Sequence, residues 1–254
     1  ASPPGIVGTL ATSIVLPSGA SLSLGDTGLD YDPAGTGFAS LLEGQTTDDT
    51  FTYTISDGSL TDTANVTVTL AGINDAPTAM DDTVSIGEDD GATDLTADLL
   101  GNDTDPDTGE TAQLVIVSID ATGTTGVVTF ENGNVSYDPN GQFEALGEAE
   151  DGADQFSYTI EDPSGLQSTA RVDVGIRGVD DAPTAVDDTL VFGEEEGLRS
   201  VVSHLRLNDY DVDDPSTEFE VIGVDTTGTL GLVNFYPDFY EVEYSPNGAF
   251  NHLA

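Results

Sequence analysis

The chain repeats itself, and the period fixes the kind of architecture it can adopt. Asn74-Asp75-Ala76-Pro77-Thr78-Ala79 returns as Asp180-Asp181-Ala182-Pro183-Thr184-Ala185, with Asp75 and Asp181 106 residues apart. Tyr31-Asp32-Pro33 returns at Tyr137-Asp138-Pro139, and again as Tyr244-Ser245-Pro246. Phe51-x-Tyr53-x-Ile55 recurs as Phe156-x-Tyr158-x-Ile160, and Asp103-x-Asp105-x-Asp107 as Asp209-x-Asp211-x-Asp213. A period of this length is a domain rather than a solenoid turn. The expected boundaries are 1–76 for the second half of one domain, 77–182 for a complete one and 183–254 for the first two thirds of a third. Proline at each Asp-Ala-Pro joint stops the preceding strand and stiffens the link.

Within the period the apolar residues alternate. Val66, Val68 and Leu70 do so in one copy and Val172, Val174 and Ile176 in the next, the pattern of half-buried strands. Asn132-Gly133 between two such runs predicts a two-residue hairpin, and no stretch carries a helical period. About 105 residues of short, Gly-punctuated strands predict an all-β fold of tandem Greek-key sandwiches. Phe156 and Tyr158, with Phe51 and Tyr53, fall on one strand face, where core packing with a tied tyrosine hydroxyl is the expected role.

Charge narrows the function. The chain holds 48 acidic and 4 basic residues for a net charge of −44, with no cysteine. Without a basic patch it cannot hold phosphate backbones or anionic lipid, so nucleic acid and membrane surfaces are excluded as partners. No apolar run is long enough to insert in a bilayer, and disulfide frameworks, thiolate metal sites and cysteine nucleophiles are ruled out. Duplicated acidic clusters and the absence of catalytic motifs argue against an enzyme.

Four motifs carry a family resemblance. They are Leu100-Gly101-Asn102-Asp103-x-Asp105-x-Asp107, Tyr137-Asp138-Pro139-Asn140-Gly141, Asp154-x-Phe156-x-Tyr158-x-x-x-Asp162 and the Asp181-Ala182-Pro183-Thr184-Ala185 joint. In this order and spacing they resemble the bacterial cadherin-like repeats, including the VCBS type, of large secreted RTX-type adhesins. The resemblance implies extracellular or cell-surface rods of sandwich domains, loaded with calcium and used as stalks or adhesive surfaces. The third copy departs from it, with Ser245 in place of the aspartate and without the closing strands.

So many carboxylates on one chain repel each other, and a hard cation relieves that. Calcium accepts six to eight oxygens in irregular geometry, which suits alternate-position acids better than magnesium's octahedron does. Candidate ligands in the loops are Asp103, Asp105 and Asp107, with Asp209, Asp211 and Asp213 one period on. Around the joints they are Asn74, Asp75, Asp81, Asp82 and Glu88, then Asp180, Asp181, Asp187, Asp188 and Glu194. The resemblance implies that joint, loop and neighbouring repeat share the ions. An EF-hand is rejected because Gly109 lies one residue late and no helices are expected beside it.

Two functions follow from different classes: a calcium-rigidified structural or adhesive module of a surface protein, or a carbohydrate-binding sandwich appended to an extracellular enzyme. Phe235-Tyr236-Pro237-Asp238-Phe239-Tyr240 is the candidate platform for surface glycans. Phe51–Ile55 and Val66–Leu70 match strands that the third repeat lacks. Head-to-tail completion between copies, building a filament, is therefore one expectation, against a fragment whose last repeat stays partly unfolded.

Overall fold

The structure is a computed structural model that describes residues 13–24, 28–33, 37–213 and 219–250. Its elements are almost all strands. Before the first Asp-Ala-Pro segment lie β1 (Ile14–Val15), β2 (Ser21–Leu24), β3 (Leu29–Asp32), β4 (Thr46–Ser56) and β5 (Thr61–Ala71). Between it and the second lie β6 (Asp82–Gly87), β7 (Thr93–Asp94), the single-turn helix α1 (Thr96–Leu99), β8 (Val115–Asp120), β9 (Val127–Glu131), β10 (Asn134–Asp138), β11 (Asp151–Glu161) and β12 (Gln167–Arg177). After the second lie β13 (Arg199–Ser200), α2 (Val202–Leu205), β14 (Leu232–Tyr236) and β15 (Glu241–Ser245). The sheets run β1-β2-β3, β4-β5, β6-β12-β11-β8, β7-β10-β9 and β13-β15-β14. The last two share one strand order, so the sequence period is a structural one.

Contacts gather the chain into two compact units. One holds the chain up to Val84 with Ala92–Tyr137 and Gln155–Val174; the other holds Ser85–Gly91, Asp138–Asp154 and the chain from Gly175 onward.

In the first unit, alternation becomes burial. Phe156, Tyr158, Ile160, Val172 and Val174 are buried with Leu95, Leu99, Ile116, Val135 and Tyr137. The Tyr137 and Phe156 rings stack with centroids 6.4 Å apart. The Tyr158 hydroxyl lies 2.8 Å from the Leu99 carbonyl and 3.1 Å from both Asp103 oxygens. Burial, then Asp82 and Asp103, push that phenol strongly upward, so it stays a donor. This is the tied tyrosine that the pattern predicted. The hairpin joining β9 and β10 turns on Asn132 and Gly133, with φ of 53° and 84°, the left-handed pair that a two-residue loop requires.

The same pattern in the first repeat is only half covered. β4 and β5 pair over all eleven residues of each, and Phe51 packs on the Leu16, Ala20 and Leu22 cluster with Tyr31 and Phe38. Asp49 accepts from Ser18 at 2.7 Å and from Tyr31 at 2.9 Å. Burial first, then Asp49, push the Tyr31 phenol up to about 12. Toward the hairpin tip, Tyr53 and Ile55 are 44% and 60% exposed. The hairpin expected to be available to another copy is thus engaged at its base by its own repeat.

In the second unit Ile86, Ile176, Val201 and Val242 are buried, and Phe192 meets Tyr244 edge-on at 5.0 Å. A cavity of about 450 Å³ lies beside them, lined by Leu190, Phe192, Leu205 and Tyr244.

Tyr158→Phe removes the one hydroxyl donor that the buried Leu99 carbonyl and Asp103 share, while the Met80 amide still donates to Asp103, and is expected to cost about 1–3 kcal/mol. Tyr53→Phe, at the same place in the period but half exposed, is expected to shift stability by less than about 0.5 kcal/mol. Urea midpoints of the two variants measure the difference.

Candidate metal centre

The loop after α1 is braced before any ligand is considered. The Asp107 amide donates to Asp105 Oδ1 at 2.8 Å, the Asp105 amide to Thr111 Oγ1 at 2.8 Å, and the Glu110 amide to the Asp107 carbonyl at 3.2 Å. Gly109, at φ +84°, lets the chain double back. These bonds turn Asp105, Asp107 and Glu110 toward one point. All three are buried, and one carboxylate oxygen from each lies within 4.8 Å of the other two.

Each of these carboxylates also has an unsatisfied oxygen. Asp105 Oδ2, Asp107 Oδ1 and Glu110 Oε2 are buried with no hydrogen-bond partner, an arrangement proteins seldom leave without an explanation. Burial first, then Asp107, Asp162 and Asp75, raise the Asp105 carboxyl above its usual range; burial, then Asp107, Asp105 and Asp162, raise Glu110. Arg171 and Arg199 are paired with Asp173 and Glu196, and Arg206 donates to the Phe219 carbonyl. None of these three cations answers the repulsion. A hard cation fits the set: all donors are oxygens, and the spacing allows one ion at about 2.3–2.6 Å from several of them.

The joint closes onto this loop. The Asp75 amide donates to Asp107 Oδ2 at 2.8 Å, Asn74 Nδ2 to Asp162 Oδ2 at 2.7 Å, and Thr78 bridges Thr104. Burial opposes charge on Asp162, but bonds from Asn74 and from the Leu166, Ser164 and Gly165 backbone outweigh it and hold the carboxyl low.

In the second unit part of this plan returns. The Asp181 amide donates to Asp213 Oδ2 at 3.0 Å, Thr184 bridges Tyr210, and the Asp213 amide donates to Asp211 Oδ1 at 3.3 Å. A second carboxylate cluster forms from Asp89, Glu144 and Asp181. Burial, then Asp89, Asp213 and Asp180, raise Asp181; burial, then Asp181, Asp89 and Glu88, raise Glu144. Glu88 is buried, with Oε1 accepting from Val179 at 2.6 Å and Oε2 unpartnered. Glycine marks both exits from a repeat. A Cβ on Gly72 would sit 2.4 Å from the Leu41 and Leu42 carbonyl oxygens, and one on Gly178 2.4 Å from that of Gly147.

Of the residues proposed from sequence, the structure brings Asp105 and Asp107 into one cluster and Asp181 into the other, with Asn74 and Asp75 bonded onto the first loop and Glu88 beside the second. Asp103 is held by Tyr158 and the Met80 amide, and Asp82 by Asn102. Asp81 accepts from the Arg171 amide, and Asp209 from the Val186 amide. Asp180, Asp187, Asp188 and Glu194 are exposed. Glu110, Asp162, Asp89 and Glu144 were missed. Glu110 follows Asp107 by three, but its counterpart 106 residues on is Ser216, so a search for repeated acids passes over it.

Two stretches of the sequence match known domain families. Residues 74–178 match the bacterial cadherin-like domain. That match opens at Asn74 and closes at Gly178, enclosing the whole first cluster, and Asp89 and Glu144 of the second. Residues 4–69 match the bacterial Ig domain. Cadherin-like and Ig-like domains are structural and adhesive rather than enzymatic. No curated protein matches the chain. Among solved structures it is similar to mouse protocadherin-24 EC1-3, at 17% identity over 91% of this chain and 74% of that one with a TM-score of 0.44. Mouse cadherin-23 EC22-24 matches at 16% identity over 62% of this chain, with a TM-score of 0.35. Drosophila N-cadherin EC1-4 matches at 17% over 88%, also with a TM-score of 0.35. The chain spans 50% of the cadherin-23 structure and 55% of the N-cadherin one. Among the described residues no helix is long and apolar enough to cross a membrane.

The raised carboxyls give a pH dependence with a definite sign. A carboxyl whose folded pKa is raised contributes stability that is present below its unfolded pKa and lost as pH rises through the folded value. In chelator, Asp105 and Glu110 therefore favour a tighter first loop as pH falls from 7 toward the ordinary carboxylate range. With a bound cation the trend reverses, because protons compete for the same oxygens. Hydrogen exchange of the Asp75 and Asp107 amides, followed from pH 7 to 5 in each condition, reads both slopes.

Proposed function

We propose that this chain is a calcium-rigidified repeat region of a large secreted bacterial surface protein, acting as an extracellular stalk or adhesive spacer. In this reading the repeats divide at 76/77 and 182/183, and ions at the joints turn hinges into struts. The observation that carries it is the set of buried, unpartnered oxygens on Asp105, Asp107 and Glu110, placed where the linker amide of Asp75 lands on Asp107. The cadherin-like match over residues 74–178 supports the same reading.

Asp105, Asp107 and Glu110 would hold an ion at the first joint, with Asp75 and Asp162 close by. Asp89, Glu144 and Asp181, with Glu88 beside them, would hold one at the second. The ion supplies positive charge that offsets the repulsion among these acids. The protein's part is to aim the carboxylates through the Asp105–Asp107 and Asp105–Thr111 bonds and to attach the linker through Asp75. We do not extend the proposal to head-to-tail association, because the hairpin to be donated already covers its own Leu16–Ala20–Leu22 cluster through Phe51. Nor do we extend it to glycans: Phe239 and the Tyr236 and Tyr240 rings are exposed at the hairpin tip, but exposure alone does not point to a sugar.

A ligand that binds only the folded state stabilises it by about 2.7 kcal/mol at a hundredfold excess over its Kd. Thermal melting should therefore rise with calcium and fall on chelation. Glu110→Gln gives a sharper test, since it removes a charge from a crowded site and replaces an anionic ligand with a weaker neutral one. The variant is expected to melt higher than the wild type in chelator and to gain less from calcium. A variant that melts lower in chelator and gains equally from calcium would contradict the assignment.

A further inference from the structure

The loop that carries the first carboxylate cluster also grips the preceding repeat directly. Thr108, between Asp107 and Glu110 in that loop, donates twice to the Ser40 carbonyl, from its amide at 3.2 Å and from Oγ1 at 2.7 Å. Both lone pairs of that carbonyl are thereby used. Ser40 closes the turn that begins at Gly37, with its own Oγ on the Gly37 carbonyl at 3.3 Å. The Leu41 amide bonds back to the Phe38 carbonyl at 3.1 Å, and Phe38 packs on Leu16, Ala20 and Leu22. A continuous path thus runs from the cluster through Thr108 and Ser40 into the core of the first repeat. It is separate from the linker's own attachments, which include Asp75 to Asp107, Asn74 to Asp162 and Thr78 to Thr104.

We infer that Thr108 is a positioning residue. Its hydrogen-bonded latch on Ser40 fixes the first repeat against the metal-binding loop without an ion, and couples ion binding to that joint's geometry. The coupling rests on the calcium reading above; the latch itself does not. The physical reason is that the latch and the cluster share one short braced loop. Ordering the loop for either one lowers the entropic cost of the other, and such coupling is reciprocal. The residue 106 positions on is Asp214, which has no hydroxyl to donate, so the sequence does not repeat this device at the second joint.

The chain has no cysteine, so spin labels can be placed through Asp62→Cys on the first repeat and Asn132→Cys on the central one. In chelator the labelled chain should give a narrow distance distribution, Thr108→Ala a broad one, and Thr108→Ser, which keeps the hydroxyl, a narrow one. Calorimetric titration of the unlabelled chains with calcium should show Thr108→Ala weakening one class of site about threefold to tenfold, the effect of losing one hydrogen bond. Thr108→Ser should titrate like the wild type. If Thr108→Ala matches the wild type in chelator, the latch is wrong. If the latch appears in chelator but Thr108→Ala binds calcium as the wild type does, the coupling is wrong. If the wild type takes up no calcium at all, the calcium reading fails, while the distance distributions still decide the latch.

Discussion

Like charges held together without a counter-charge are the constraint on which the first joint depends. Asp105, Asp107 and Glu110 are turned inward by bonds within their own loop, and each leaves a buried oxygen with nothing to donate to it. Desolvation and mutual repulsion both disfavour that state and push the Asp105 and Glu110 carboxyls up. A fold that stores such a cost at a linker makes the linker responsive to whatever relieves it. Our proposal is that calcium does so, and that the net charge of −44 is the general background on which these few placed carboxylates act.

The sandwich cores supply the rigidity against which the joints work. Tyr158 ties β11 to α1 through the Leu99 carbonyl, and the same hydroxyl meets Asp103, which also accepts from the Met80 amide just past the joint. Asp103 thus belongs to the core corner while Asp105 and Asp107, two and four residues later, face the joint. Alternate residues of one short loop serve two purposes, so the core and the linker are positioned by one piece of backbone.

Much of this was legible in the sequence because repetition and alternation are global signals. The 106-residue period predicted equivalent contacts, and the Asp75–Asp107 and Asp181–Asp213 bonds are one such pair. The Val172, Val174 and Ile176 alternation predicted a buried strand face, and Asn132-Gly133 its hairpin. The ligand set was less legible. Asp103 and Asp105 are both alternate acids in one motif, and nothing local distinguishes the one that bonds Tyr158 from the one that faces the cluster. Asp162 caps its own turn through the Ser164 and Leu166 amides, as Asp57, 105 residues earlier, does for Ser59 and Leu60. Its added role toward Asn74 arises only from tertiary packing. Glu110 was hidden by the criterion that found the rest, since Ser216 breaks its repeat.

The most direct test of the central claim is anomalous scattering from crystals of the whole chain grown with calcium or a lanthanide substitute. The account predicts an ion peak among Asp105, Asp107 and Glu110, and a second beside Asp181 near Glu144. Well-ordered carboxylates at both places with only water between them, at saturating cation, would contradict it.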